Sequence, residues 1–201
     1  MNEQGHESNK KKAIVIATIS SIKRRGFSNF SMQDVAKEAG VSKGIIHYYF
    51  LNKDDLMVDV FNEWSQSTAE QLILQIKKAL DPKEQLTVFS TFYFEAMLKD
   101  KEIFQILIDL LAKKDEKMQI SEVLTKHYRL FRGICADVLK QGLEKGFFKN
   151  VEPWSFSQLF WGILDGLSIQ YFVDNKAMPL VSIKKILEET IIANLSVVSD
   201  V

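Results

Sequence analysis

The sequence predicts an all-α protein of about nine helices. Only three prolines and nine glycines occur in 201 residues, so most of the chain can adopt helical structure. No strand-like alternation of apolar and polar residues persists, and no Asn-Gly or Asp-Gly turn separates two apolar runs. The spacing of apolar residues instead predicts a small N-terminal head of three helices and a larger C-terminal helical body.

The first helix of the head is predicted from about Lys10 to Arg25. Val15, Ile19 and Ile22 share one face of this helix. Gly26 follows it directly and is the residue type that most often ends a helix.

Two short helices follow. Ser31 is an N-cap residue with Asp34 three positions later, a relative of the capping box, and the helix that it opens ends at Gly40. Ser42 caps the next helix, which ends near Phe50.

The body is predicted to contain the longer helices. Asp81-Pro82, the charged stretch 113–117 and Gly146 interrupt them. Their expected ranges are Asn52 to about Leu80, Lys83 to Leu98, Lys101 to about Ala112, Ile120 to Lys145, Pro153 to about Val173, and Pro179 to about Val197. We therefore expect a flexible tail over 1–9, a head over 10–52 and a body over 53–201.

Charge separates the head from the body. Residues 8–53 carry nine basic and two acidic side chains, a net charge of +7, whereas residues 54–201 carry a net charge of −5. A basic head on a neutral chain indicates a nucleic-acid partner. The alternative is a chance cluster on a solvated surface.

Other features exclude several classes of protein. The single cysteine, Cys135, cannot form an internal disulfide, and the N-terminus has no apolar signal segment. No run of 18 apolar residues is present. The three histidines lie far apart, and no glycine-rich phosphate loop occurs. We expect a cytoplasmic protein that has no metal, no cofactor, no membrane partner and no enzymatic activity.

The segment 30–50 has the pattern of a helix-turn-helix. Each helix is shorter than ten residues, so both must pack on each other and on the first helix. Ala36 allows close approach, and Gly40 suits the tight turn. The residues expected to face the shared core are Val35, Val41, Ile46 and Phe50.

The rest of the second short helix is then available to a partner. A recognition helix places its N-terminal residues against base edges in the major groove. Lys43 can donate to guanine, and Ile45 can contact a thymine methyl group. The residues left largely without a core role are Ser42, Lys43, Gly44, Ile45, His47, Tyr48 and Tyr49.

Residues 10–56 resemble the DNA-binding domain of the tetracycline-repressor (TetR) family of bacterial regulators. The match is dense and in the correct order, and a less specific match covers Gly142–Phe148 followed by Pro153. The matching stretches of the head are Arg25–Phe27, Ser31–Ala36, Ala39–Gly44, Tyr48–Phe50 and Asn52-Lys53. One residue departs from the family, which usually has tyrosine at the position of His47. The Gly-Ile-Ile run before it resembles the branch that contains the choline-sensing repressors.

The resemblance implies a role for individual residues of the head. Ser31, Tyr49 and Lys53 are expected to hold DNA phosphates. Lys43, Gly44, His47 and Tyr48 are expected to approach bases or adjacent phosphates, with Ser42 and Ile45 beside them. The alternatives are ordinary packing for the two tyrosines and an unliganded surface histidine for His47. Lys10–Lys12 are either further phosphate contacts or part of a solvated tail.

The resemblance also implies a dimeric repressor that a small-molecule effector of unknown identity releases from operator DNA. Helices eight and nine are expected to form the homodimer, and Gly162 and Gly166 indicate a close approach there, although packing within one chain is an alternative. An effector pocket is predicted at Phe89, Tyr93, Met97, Phe131 and Trp161, with His127 and Asp165 as candidate polar anchors. For each of these residues the alternative is a place in the core, and for His127 it is exposure to solvent. The competing functions are a helical ligand- or protein-binding module without DNA binding and, less favoured, a helical enzyme.

Overall fold

The computed structural model describes residues 3–114, 117–149, 151–176 and 178–195. These ranges form helices and contain no β-strand, which confirms the predicted all-α fold. None of the described helices is long and apolar enough to cross a lipid bilayer. The nine described helices are α1 (Glu3–Arg25), α2 (Met32–Ala39), α3 (Lys43–Tyr49), α4 (Lys53–Ile76), α5 (Pro82–Lys99), α6 (Lys101–Ala112), α7 (Met118–Glu144), α8 (Pro153–Val173) and α9 (Leu180–Ile186), which continues through a π-helical turn (Leu187–Ile192) and a last helical turn (Ala193–Leu195).

Two helix boundaries differ clearly from the sequence prediction. α1 begins at Glu3 rather than near Lys10, and α4 ends at Ile76 rather than near Leu80. The predicted end of the last helix near Val197 lies outside the described residues.

The early end of α4 has a local cause. The Asp81 carboxylate accepts a hydrogen bond from the Glu84 amide (2.8 Å), and the Glu84 carboxylate accepts one from the Leu80 amide (2.6 Å). This reciprocal pair caps the start of α5 and holds the chain that precedes it out of α4. The residues between Ile76 and Leu80 form tight turns instead.

The chain divides into two compact units. The first contains the described residues of 1–67 and 100–127, and the second contains those of 68–99 and 128–201. The first unit therefore holds α1–α3, α6 and the N-terminal parts of α4 and α7. The functional division into 1–9, 10–52 and 53–201 stays a prediction.

In the first unit, Gly40 makes the turn between α2 and α3. It has a φ of +65°, a left-handed conformation that glycine adopts without steric cost. The Val41 amide donates to the Ala36 carbonyl (2.9 Å), and the Gly40 amide donates to that of Lys37 (3.4 Å). This is a Schellman motif, which satisfies the last carbonyls of α2. The turn orients α3 so that the Ile46 side chain is fully buried.

In the second unit, Gly142 of α7 lies against the buried ring of Phe148. A Cβ atom at Gly142 would lie 2.1 Å from the Phe148 Cδ2 atom. The amides of Phe147 and Phe148 both donate to the Gly142 carbonyl, at 2.8 and 3.2 Å. Glycine therefore lets the chain fold back onto the end of α7.

We predict that Gly142→Ala lowers the free energy of unfolding by about 1–3 kcal/mol, because the added methyl group forces the Phe148 ring from its place. Urea denaturation followed by circular dichroism measures this change.

Gly133→Ala in the same helix is the matched control. A Cβ atom at Gly133 would have no neighbour within 4 Å, so alanine should raise the free energy of unfolding by up to about 1 kcal/mol. If Gly142→Ala were as stable as the wild type, the close packing of Phe148 on Gly142 would be wrong.

Candidate functional site

The residues predicted to contact DNA lie on α3, at the N-caps of α2 and α3, and at the start of α4. Ile46 and Phe50 are buried, as expected of the core side of α3. Among the predicted contacts, Tyr49 is half-buried and the following are exposed: Ser31, Ser42, Lys43, Gly44, Ile45, His47, Tyr48 and Lys53. Packing thus leaves the partner side of α3 open to solvent.

Ser31 is more constrained than the sequence indicates. Its Oγ accepts a hydrogen bond from the Asp34 amide (3.2 Å) and donates to the Asp34 carboxylate (2.7 Å), while its own amide donates to that carboxylate (3.1 Å). The Ser31 hydroxyl lowers the pKa of Asp34, and the nearby charges of Arg25 and Arg24 lower it further. Both Ser31 donors are engaged by Asp34, so a phosphate at Ser31 would compete with this carboxylate.

Among the described residues, the Ser42 hydroxyl accepts a hydrogen bond and donates none. The Ser42 Oγ accepts a hydrogen bond from the Ile45 amide (3.3 Å) and so caps α3. Lys43 is the first residue of α3, takes part in no ion pair among the described residues, and lies at the helix end that a recognition helix turns towards the bases. A Cβ atom at Gly44 would meet only the Ser42 Oγ, at 3.7 Å.

Two tyrosines differ in their surroundings. Tyr48 is 70% exposed, which argues against a core role, and its hydroxyl donates to the Glu7 carboxylate of α1 (3.1 Å). This hydrogen bond raises the pKa of Tyr48. The Tyr49 ring meets the Tyr48 ring edge-on, with the ring centroids 5.0 Å apart. The Glu7 contact was not predicted, because no local pattern joins residues 41 positions apart.

The Lys53 ammonium group is held over two aromatic rings. Its Nζ atom lies 4.2 Å from the centroid of the Phe30 ring and 5.0 Å from that of the Phe27 ring. Such cation–π contacts orient the side chain without neutralising its charge. The Lys53 ammonium group is therefore held at the exposed start of α4.

Part of the basic charge of the head is paired within the first unit. Lys11 contacts Asp59 (2.5 Å) and Lys12 contacts Glu63 (3.0 Å), both on α4. Arg24 pairs with Glu38, and Arg25 pairs with Asp34 (3.1 Å). In the described part of the chain, Lys10, Lys37 and Lys43 form no ion pair, and all three are exposed or half-buried.

An open cleft of about 460 Å³ lies in the first unit and includes the predicted DNA contact Tyr49. Its walls combine the Lys11–Asp59 ion pair with a hydrogen bond from Lys126 to Asn62 (3.3 Å). None of the predicted effector residues lines this cleft.

Four of the five predicted effector residues meet in the second unit. The Trp161 ring lies 5.0 Å from the Phe131 ring, 5.2 Å from that of Tyr93 and 5.9 Å from that of Phe89, measured between centroids. Met97 is fully buried one turn further along α5. Tyr128, which was not predicted, also faces Trp161 (6.4 Å).

A carboxylate lies beside these rings. The Tyr93 hydroxyl donates to the Asp165 Oδ1 atom (2.9 Å), and Tyr128 also forms a hydrogen bond to Asp165. Burial raises the pKa of Asp165, and these hydrogen bonds and the charge of Arg132 partly oppose that rise. The Arg132 guanidinium lies over the Tyr128 ring, with 4.9 Å from Cζ to the centroid. We call Tyr93, Tyr128, Trp161 and Asp165 the aromatic–carboxylate cluster.

His127, the other candidate anchor, is buried in the first unit rather than exposed. Its Nδ1 atom lies 2.8 Å from the Ser65 Oγ, and its ring packs against those of Phe61 and Trp64.

Cys135 is also buried, and burial raises its thiol pKa to about 12, as expected for a core cysteine. No group of three metal-ligating side chains occurs in the described residues.

An apolar stripe follows the outer face of α8. Leu159, Ile169 and Val173 are 62%, 52% and 84% exposed. Gly162 and Gly166 lie between them, and a Cβ atom at either glycine would have no neighbour within 4 Å. Close packing against the described residues of the same chain therefore does not explain these two glycines.

Two family models match almost the whole described chain. The model described as "Bacterial regulatory proteins, tetR family" matches residues 14–60, and the model described as "YsiA-like protein, C-terminal region" matches residues 61–194. The second match alone spans about two thirds of the chain. The first covers the helix-turn-helix described above.

Curated relatives and solved structures agree with this assignment. The fatty acid metabolism regulator protein of Bacillus subtilis is 21% identical over 183 residues, which are 90% of this chain and 93% of that protein. The crystal structure of FadR from Bacillus subtilis in complex with stearoyl-CoA has a TM-score of 0.71 at 20% identity, covering 91% of this chain and 98% of that one. A putative regulator from Saccharomonospora viridis in complex with choline has a TM-score of 0.79 at 18% identity, covering 94% and 99%.

These structural likenesses show the shared fold, and the family models show the membership. The chain belongs to the TetR family of bacterial regulatory proteins and is a DNA-binding transcriptional regulator.

Proposed function

We propose that this protein is a homodimeric repressor that binds a two-fold symmetric operator and is released from it by a small organic cation. The observation that carries the proposal is the exposed face of α3, which presents Lys43, His47 and Tyr48 to solvent. The competing hypothesis, a module without DNA binding, does not account for such a face or for the net charge of +7 on residues 8–53. A repressor acting on chromosomal DNA would be cytoplasmic.

Operator recognition is assigned to two sets of side chains. Lys43, at the start of α3, would read a base edge, with Gly44, Ile45 and His47 beside it. Phosphate contacts from Tyr49 and Lys53 would position the head without reading sequence. Ser42 would donate its hydroxyl proton to a phosphate, and Ser31 would meet a phosphate only by releasing Asp34.

The operator sequence can be identified by sequencing the genomic DNA that the purified protein retains. We predict that Lys43→Ala weakens binding to this operator by about 1–3 kcal/mol and relaxes the preference at one base position in each half-site. Tyr49→Phe and Lys53→Ala should instead weaken binding to all sequences equally. Fluorescence anisotropy with operator and scrambled duplexes at several salt concentrations measures both effects.

Lys77→Ala provides a control outside the head, because this exposed lysine follows α4 in the second unit. It should leave both affinities unchanged. An unchanged operator titration for Lys43→Ala would show that α3 is not the recognition helix. Retention of no specific DNA by the wild type would favour the module without DNA binding.

Dimerisation is assigned to α8 and α9. The stripe Leu159–Gly162–Gly166–Ile169–Val173 repeats at intervals of three and four residues, the spacing of one helix face. Small residues in such a stripe allow another helix to approach closely, and Ile186 and Val181 of α9 are also exposed. A two-fold dimer would present two heads to half-sites about 34–36 Å apart.

We predict that Ile169→Arg converts the dimer into a monomer, because a charged side chain in an apolar helix interface is left unpaired. Sedimentation velocity measures the mass, and operator affinity should fall with it. Leu80→Arg is the matched control, since Leu80 is 93% exposed and lies outside α8 and α9. A dimeric Ile169→Arg variant would place the interface elsewhere.

The effector site is assigned to the second unit, where Phe89, Met97 and Phe131 adjoin the aromatic–carboxylate cluster. Relatives with this fold differ in ligand, since one structure contains stearoyl-CoA and another contains choline. A carboxylate among electron-rich rings attracts a cation and opposes a long acyl chain. The Arg132 guanidinium over the Tyr128 ring is an internal example of the same contact. We therefore favour an organic ammonium compound.

We predict that choline binds the wild type and that Asp165→Asn weakens this binding about tenfold, because the variant lacks the negative charge. Isothermal titration calorimetry measures the affinity. Binding should strengthen as the pH rises through the raised pKa of Asp165, since only the ionised carboxylate attracts the cation. Asp137→Asn, an exposed α7 variant, is the control. Tight binding of stearoyl-CoA with none of choline would overturn the assignment.

A further inference from the structure

Asp100 is a buried carboxylate that ties two helices together within the first unit. Its side chain is 10% exposed. The Trp64 indole N–H of α4 donates to the Asp100 Oδ2 atom (2.9 Å), and the Lys23 ammonium of α1 lies 2.5 Å from Oδ1. Neither the DNA-binding face nor the aromatic–carboxylate cluster includes these three residues, which we call the Asp100 anchor.

The position of Asp100 makes this arrangement unusual. It occupies the N-cap of α6, where an aspartate normally accepts hydrogen bonds from the first amides of the helix. Here the carboxylate forms no such bond. It is directed instead to partners 36 and 77 positions earlier in the chain. A buried carboxylate is costly in free energy unless it is paired. The loss of either partner should therefore change the positions of both α1 and α4.

The two partners place the anchor beside the DNA-binding head. Lys23 lies in the last turn of α1, two residues before that helix ends. The turn after α1 leads directly to α2, and α1 and α2 pack against each other. The Asp100 anchor therefore fixes the end of α1 on which the helix-turn-helix is built.

Trp64 is itself held firmly. Its ring meets that of Phe104 on α6 (6.0 Å), stacks near that of His127 on α7 (6.1 Å) and lies 5.9 Å from that of Phe61. Movement of Asp100 cannot be absorbed by free rotation of this indole. It must either shift Lys23 or break the hydrogen bond.

Asp100 is also the residue that directly follows α5, which ends at Lys99. α5 carries Phe89 and Tyr93, to which we assign the effector. We propose that Asp100 is a positioning residue for operator binding, and that a displacement of α5 reaches the helix-turn-helix through the Asp100 anchor. The second half of this inference rests on the proposed function, whereas the first half needs only operator binding.

The test compares Asp100→Asn with the wild type on the operator recovered from genomic DNA. Asparagine keeps an acceptor for Trp64 but loses the charge that holds Lys23. We expect operator affinity to fall about tenfold while the circular dichroism spectrum is unchanged. Asp59→Asn is the matched control, because Asp59 also pairs with an α1 lysine at 2.5 Å but is only half-buried, with 32% of its side chain exposed. It should change the affinity less than twofold.

A second readout separates positioning from stability. Because coupling between sites is reciprocal, saturating operator should slow amide hydrogen exchange in the last turns of α5 in the wild type. In Asp100→Asn, saturating operator should still protect α3 but no longer α5. Lys23→Arg, which keeps the charge, should retain the protection of α5.

Trp64→Phe tests the inference where Asp100→Asn does not fold, since it removes the indole N–H that donates to Asp100 while keeping an aromatic ring at this position. This variant should lower operator affinity, as Asp100→Asn does. Wild-type affinity together with wild-type α5 protection in a folded Asp100→Asn or Trp64→Phe protein would overturn the inference. Failure of the wild type to bind specific DNA would overturn the proposed function instead, so the two failures are distinguishable.

Discussion

The packing of two very short helices on α1 is the constraint on which the DNA-binding face depends. α2 has eight residues and α3 has seven, whereas isolated helices shorter than about 12–15 residues are marginal in water. The stability of α2 and α3 must therefore come from the burial of side chains such as Val35 and Ile46, because helix propensity alone is too small. With so few positions, each side chain of α3 serves either the core or a partner. That division explains why Lys43 and His47 are exposed although the unit that carries them is well packed.

The head was predictable because its determinants are local. A serine with an acid three positions later predicts the capping box at Ser31, and a glycine between two short apolar patterns predicts the left-handed turn at Gly40. The structure contains both features. The sequence did not reveal that the Asp34 carboxylate accepts hydrogen bonds from both the amide and the hydroxyl of Ser31. An N-cap pattern predicts that the Ser31 hydroxyl accepts a hydrogen bond from the Asp34 amide, but it does not predict to which group that hydroxyl donates.

The body was predictable only in part, because its contacts join distant positions. Helical spacing put Phe89 and Tyr93 on one face of α5, and both rings do meet Trp161. The same spacing cannot say which buried charge meets which partner. No sequence pattern points from Asp100, between α5 and α6, to its partners Trp64 and Lys23. The early end of α4 was missed for a similar reason, since the reciprocal cap before α5 competes with its last turn.

The paired lysines of the head fall into two classes, which differ in the free-energy cost of exchanging their acidic partner for a DNA phosphate. Lys11 and Lys12 pair with half-exposed acids, and such pairs contribute on the order of 0–1 kcal/mol, so a phosphate can replace either partner at small cost. Lys23 faces a nearly buried carboxylate, which would be left unpaired if the lysine turned to DNA. The formal charge of the head therefore overstates what is available to the operator. The salt dependence of binding should follow the exchangeable lysines, while Lys23 keeps a structural role inside the first unit.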